Sequence, residues 1–230
     1  MVSWAIRPGE LILFEGDSLT SRRMLPAHDD WAFARFMNWN RTYADVVAEW
    51  VMAARPELRL KFRNSAIGGS SIGQVLGRFD QVIPVLKPAL VILTTGGNDA
   101  ARQDPLPVFA ARLKEYCVRC RDTCGAHVAM VGLLATLAGI EEESKAWAQR
   151  VRPYHAAARR VLRATGNVYL DLAPDLTRKS ATLCGQSKFH TLFADGLHYN
   201  ELGSQVIANL LLERLGLMTL PAVPRIAGNS

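Results

Sequence analysis

Four short blocks, far apart in the chain, carry residues whose types and order suit attack on an ester carbonyl: Gly16-Asp17-Ser18-Leu19, Asn64-Ser65-Ala66-Ile67-Gly68-Gly69-Ser70, Gly96-Gly97-Asn98-Asp99 and Asp195-Gly196-Leu197-His198. A serine hydroxyl is a poor nucleophile until a neighbouring base takes its proton. An imidazole, with a reference pKa near ~6.5, suits that task around neutral pH, so turnover should rise with pH as His198 loses its proton. Asp195, three residues earlier, is placed to fix the tautomer and orientation of His198 and to stabilise its protonated form. The glycine-rich and asparagine blocks offer hydrogen-bond donors to the negative charge that develops on the carbonyl oxygen.

Each residue also has an ordinary structural role open to it. Ser18 could cap a turn, Gly69 could serve a tight bend, and Asn98-Asp99 could be turn residues. Asp17 and Asp99 read first as scaffold for the loops that hold Ser18 and Asn98, and Asn64 reads the same way. His28, His127, His155 and His190 have no motif around them and read as surface or packing residues.

These blocks need elements to position them. Five apolar runs read as strands: Leu11–Glu15, Leu58–Arg63, Leu90–Thr94, Val128–Leu133 and Val168–Leu172. Leu90-Val91-Ile92-Leu93 is apolar on both faces, as in a parallel strand covered on each side by helices. Between the strands lie helical patterns. One spans Tyr43–Ala54 and ends before Pro56. A second has the chain's cleanest 3.6-residue repeat, from Ile72 through Val75, Leu76, Phe79, Val82 and Ile83 to Leu86. A third opens at Asp104-Pro105. A fourth, roughly Ser144–Thr165, carries Pro153 and should kink there or start late. The last runs from Asn200 as N-cap to Gly216. This alternation predicts an α/β fold: a three-layer α/β/α sandwich with a central five-stranded parallel sheet and right-handed crossovers. We read residues 1–230 as a single domain with an irregular tail over 217–230. Ligands of such sheets bind beyond the carboxyl ends of the strands, and Ser18, Gly68-Gly69 and Asn98 follow strands one, two and three onto that rim.

Taken as a set, the blocks resemble the SGNH (GDSL-type) hydrolase superfamily, with its flavodoxin-like fold. The serine is Ser18, the glycine is Gly69 with Gly68 as the competing register, the asparagine is Asn98 and the histidine is His198. The resemblance implies a catalytic set of Ser18, Asp195 and His198. It also implies an oxyanion hole made by the backbone N–H groups of Ser18 and Gly69 and the side-chain amide of Asn98. Within the superfamily the chain is most similar to intracellular carbohydrate acetylesterases, through the stretch from the Tyr43 helix over Arg55-Pro56-Glu57-Leu58, the Asn64 block and Lys87-Pro88-Ala89-Leu90-Val91-Ile92. That implies a serine esterase acting on short acetyl esters of a carbohydrate through an acyl-serine intermediate. The same blocks serve lysophospholipases and thioesterases, and a catalytically silent carbohydrate-binding relative would keep the fold. Trp31 and Trp39, in an aromatic segment after the first strand, are candidates for substrate contact together with Asp17. The stretch 135–143 is a second candidate for the pocket rim.

The bulk composition bounds the partners. The 230 residues are 49% hydrophobic and 21% charged, as in an ordinary globular chain. The net charge of +6 comes from 27 basic and 21 acidic residues, and the basic ones are scattered rather than clustered. Hence no nucleic-acid partner is expected. No secretory signal and no apolar run long enough for a membrane span is visible, so a cytoplasmic location is expected. Cys117, Cys120 and Cys124 share one helical stripe with Phe109, Leu113 and Tyr116 and read as core rather than as metal ligands. The reaction requires neither metal nor cofactor, the expected partner is a small-molecule ester, and a homo-oligomer is left open.

Overall fold

The computed structural model describes residues 6–21, 41–135, 141–184, 192–193 and 198–217. Five strands form one parallel sheet: β1 Leu11–Glu15, β2 Lys61–Asn64, β3 Leu90–Leu93, β4 His127–Gly132 and β5 Val168–Asp171, in the order β2-β1-β3-β4-β5. The helices are α1 Tyr43–Ala54, α2 Ile72–Gly77, α3 Phe79–Leu86, α4 Gly97–Ala101, α5 Leu106–Cys124, α6 Glu141–Ala164, α7 Ala173–Cys184 and α8 Glu201–Leu215.

Successive side chains of a strand point to opposite faces, so each strand feeds two cores. Ile12, Phe14, Leu90, Ile92 and Val131 pack on one side with Val47 and Val51 of α1 and Ile207 and Leu211 of α8. Leu13, Val91, Leu93, Val128 and Met130 pack on the other with residues of α2, α3, α5 and α6. All four residues of β3 are buried, which explains its unbroken apolar run. Cys117 and Cys120 are wholly buried in the second core, as their helical stripe predicted. Among the described residues, no helix is long and apolar enough to cross a membrane.

The chain leaves β1 toward β2 on one side and later returns to β3 on the other. The carboxyl ends of β1 and β3 therefore flank a topological switch point, where open α/β sheets bind ligands. Ser18 follows β1 and Asn98 follows β3.

The structure revises several sequence expectations. The repeat from Ile72 to Leu86 is two helices, α2 and α3, divided at Arg78. Ile72, Val75, Phe79 and Ile83 all face one core, so the periodicity survives the break in the backbone. The second strand begins at Lys61 rather than Leu58, because Pro56–Leu58 form a 3-10 turn and Arg59 is left-handed. Helix α6 already begins at Glu141 and runs through Pro153. Helix α5 starts at Leu106, with Pro105 rather than Asp104 at the N-cap. Helix α8 keeps its Asn200 cap, whose side chain accepts from Gly203 N, and its Gly216 terminus. The short α4 and the whole of α7 were not anticipated. The tail beyond residue 217, the aromatic segment with Trp31 and Trp39, His28, His190 and Asp195 lie outside the described residues.

Candidate active site

The turn after β1 is built around one glycine and one aspartate. Gly16 adopts φ +133, and a Cβ there would fall 2.1 Å from the carbonyl oxygen of Thr94. Only glycine lets the end of β1 run that close to the end of β3. The buried Asp17 accepts from Leu19 N and from Thr94 Oγ1, both at 3.0 Å. Its carbonyl receives Thr20 N and Ser21 N. Thr94 is the hub of this corner, since its hydroxyl also meets Thr20 Oγ1 at 2.7 Å. Of the two roles read for Asp17, its hydrogen bonds serve the loop, although the residue also borders the cavity described below. The turn leaves Ser18 half-buried at the rim.

His198 reaches that serine across 180 residues of sequence, with Nε2 at 2.9 Å from Ser18 Oγ. Its neighbours fix the approach. Tyr199 pairs with Phe193 in an antiparallel bridge, their rings 4.6 Å apart, and its hydroxyl donates to Leu133 O at 2.9 Å. Asn200 caps α8 immediately afterwards.

The glycine block forms a turn closed by Ser70 N donating to Ile67 O, with Gly69 at φ +77. The Gly69 carbonyl accepts from Arg102 Nη2 at 2.8 Å, and Ile67 N donates to Gly16 O, joining this loop to the serine turn. A Cβ on Gly68 would stand 3.8 Å from that of Ser18, whereas nothing lies within 4 Å of one on Gly69. Asn98 Nδ2 donates to Ser70 O at 3.2 Å, so the asparagine and glycine blocks are directly linked. Asp99 is fully buried and accepts from Gly96 N, Thr95 Oγ1 and Ile72 N, pinning α4 to the start of α2. Asn64 donates to Thr20 O and accepts from Ala66 N. The scaffold roles expected of Asp17, Asp99 and Asn64 are thus what their contacts display. Gly69-Ser70-Ser71-Ile72-Gly73 also spells the G-x-S-x-G of a nucleophile elbow, but Ser71 is a buried N-cap of α2 rather than an exposed strand-end serine.

A model of the GDSL-like lipase/acylhydrolase family matches residues 14–206. The chain belongs to that family. The family consists of serine carboxylic ester hydrolases, and the protein is an SGNH esterase. An acetylxylan esterase of Geobacillus stearothermophilus is 24% identical over 217 residues, covering 92% of this chain and 96% of that one. The structure of a catalytic mutant of an acetylxylan esterase from the same organism superposes with a TM-score of 0.72 at 19% identity, over 96% of this chain and 100% of the other. A putative GDSL-like lipase from Parabacteroides merdae gives 0.73 at 18% identity, over 93% and 98%. These superpositions establish the SGNH hydrolase fold.

Beneath the SGNH blocks lies a pair that the sequence did not single out. The Arg78 guanidinium meets the carboxylate of Glu15 and donates to Ser70 Oγ and Gly16 O at 3.0 Å each. Glu15 in turn accepts from Ser65 Oγ and Gly16 N. Both side chains are almost entirely buried, at 12% and 2% exposure. One ion pair therefore ties the serine turn to the glycine loop, and the break between α2 and α3 is where its arginine sits. An acid ending the apolar run Leu11-Ile12-Leu13-Phe14-Glu15 was the available signal. Arg78 gave none.

Two buried groups make stability depend on pH. Burial pushes the Asp17 carboxyl up to about 6 from its usual 3.8, against the hydrogen bonds that favour its charge. Burial pushes His155, whose Nδ1 lies 2.6 Å from the Tyr169 hydroxyl, down to about 4 from 6.5. The folded state holds the Asp17 proton more tightly than the unfolded one, so Asp17 costs stability above pH 6 and the cost vanishes as pH falls toward 3.8. His155 works oppositely: its neutral form is fully tolerated above 6.5, and stability is lost as pH falls toward 4. Asp17→Asn removes the first effect alone. The melting temperature of the variant minus that of the wild type should therefore be more positive at pH 7.5 than at pH 4.5 in matched thermal melts. An equal difference at both pH values would contradict the burial of a charge at Asp17.

Proposed function

We propose that the protein is a serine esterase that removes short acyl groups, acetyl foremost, from a carbohydrate through an acyl-serine intermediate. In this reading Ser18 attacks the carbonyl, His198 takes its proton and later returns it to the leaving alcohol, and Asp195 orients the imidazole. The oxyanion rests on the backbone N–H groups of Ser18 and Gly69 and on Asn98 Nδ2. The observation that carries the reading is the 2.9 Å contact between His198 Nε2 and Ser18 Oγ, within reach for direct proton transfer.

The alcohol side of the reading is supported by the recess beside His198, whose lining includes Ser21, Arg41, Thr42 and Ser204 together with Leu19 and Tyr199. Hydroxyls and a guanidinium suit a polyhydroxylated leaving group better than an acyl chain. The named activity of the 24%-identical relative points the same way. Rates on acetylated xylo-oligosaccharides and on lysophospholipids, compared at equal concentration, test it. Faster release of acetate is expected; a preference for the lysophospholipid would overturn the carbohydrate reading. Asn98→Ala should lower kcat by ~10²–10³ with folding intact, the usual cost of one oxyanion donor. Wild-type turnover of p-nitrophenyl acetate in that variant would remove Asn98 from the reaction.

A further inference from the structure

Two recesses meet at Ser18. The one containing His198 is the recess just described and does not include Asn98. The other contains Asn98 but not His198; Leu133, Ala135, Trp147, Val151 and Phe193 form one part of its wall, beside the polar Thr94, Thr95, Ser144 and His155. In a tetrahedral adduct on Ser18 the oxyanion turns to its donors, and the leaving oxygen must stay beside the imidazole that protonates it. The acyl carbon takes the direction that remains, away from His198.

We infer that the recess beside Asn98 is the acyl pocket and that Trp147, on its apolar side, sets the length of acyl group it accepts. This rests on the serine-esterase reading above and adds the acyl specificity to it. The recess opens to solvent on one side and, among the described residues, offers about 60 Å³ to water-sized groups. At roughly 10–15 Å³ for each water-sized group, that is room for a few heavy atoms and not for a long chain. Trp147 projects from α6 and lies against the Asn98 block: its Cζ2 is 3.1 Å from where a Cβ on Gly97 would stand. A side chain at position 97 would press the indole back by a few tenths of an ångström, so the glycine lets the tryptophan sit close against this block. The half-buried indole is also the largest side chain on that wall among the described residues.

The test is the ratio of kcat/KM for p-nitrophenyl butanoate to that for p-nitrophenyl acetate, measured in the wild type, Trp147→Phe and Trp147→Ala. Each methylene accommodated in an apolar pocket is worth about 10-fold or more. The ratio should therefore rise at least tenfold in Trp147→Ala and by a smaller factor in Trp147→Phe, which also serves if the alanine variant fails to fold. An unchanged or lower ratio in the folded variants overturns the assignment of Trp147. Failure of the wild type to hydrolyse either ester would instead overturn the esterase reading itself, so the two failures are distinguishable.

Discussion

Ser18→Ala is expected to lower kcat on p-nitrophenyl acetate by about 10⁴–10⁶-fold while leaving the circular dichroism spectrum and melting curve close to wild type. The size follows from the chemistry. Without the hydroxyl there is no acyl-serine route, and the remaining donors can only assist direct attack by water, which leaves about 10³–10⁴ over the uncatalysed rate. His198→Ala should fall nearly as far, because the alcohol and the imidazole 2.9 Å from it act in one proton transfer. Combining the two substitutions should therefore cost little more than either alone. If the double variant lost the product of the two single effects, Ser18 and His198 would be acting independently.

The second large effect concerns the frame beneath the site. Glu15→Gln keeps the shape of the side chain but leaves the buried Arg78 cation without its counter-charge. Breaking one half of a buried pair typically costs about 3–5 kcal/mol, because the stranded charge has no water to replace its partner. A loss of that order is expected in urea unfolding, larger than any exposed ion pair of this protein would give, such as Arg121–Asp122. Replacing both residues, as Glu15→Gln with Arg78→Met, should cost less than the sum of the single changes. Turnover should fall in Glu15→Gln as well, because the pair joins Gly16 to Ser70 across the reacting corner. A Glu15→Gln variant as stable as wild type would show that the pair holds nothing together.

Much of this molecule can be read from its residues, for identifiable reasons. Strand β3 is apolar at every position because helices cover both of its faces. Asn200 and Gly216 mark the ends of α8 because unsatisfied backbone groups select for such residues at helix termini. The blocks that resemble the SGNH motifs are short and local, so they stand out in the sequence, and the structure brings His198 against Ser18. What escaped was decided by distant partners. Hydrophobic periodicity reports which face is buried and is blind to a break at Arg78 that keeps the face unchanged. The Glu15–Arg78 pair joins residues 63 positions apart, and nothing near Arg78 announces it. Thr94 looks like an ordinary strand end until Gly16 and Asp17 are brought against it. His155, read as a surface or packing residue, is buried and borders the recess beside Asn98, a position that depends on how α6 lies over β3 and β4.

In the proposed reaction Ser18 Oγ carries the acyl group, made reactive by His198. Its most direct test is intact-mass analysis and peptide mapping after exposure to a serine-directed fluorophosphonate. A single adduct is expected on Ser18, formed far more slowly in His198→Ala and absent in Ser18→Ala. An adduct on another residue that extinguishes esterase activity while Ser18 stays unmodified would contradict it.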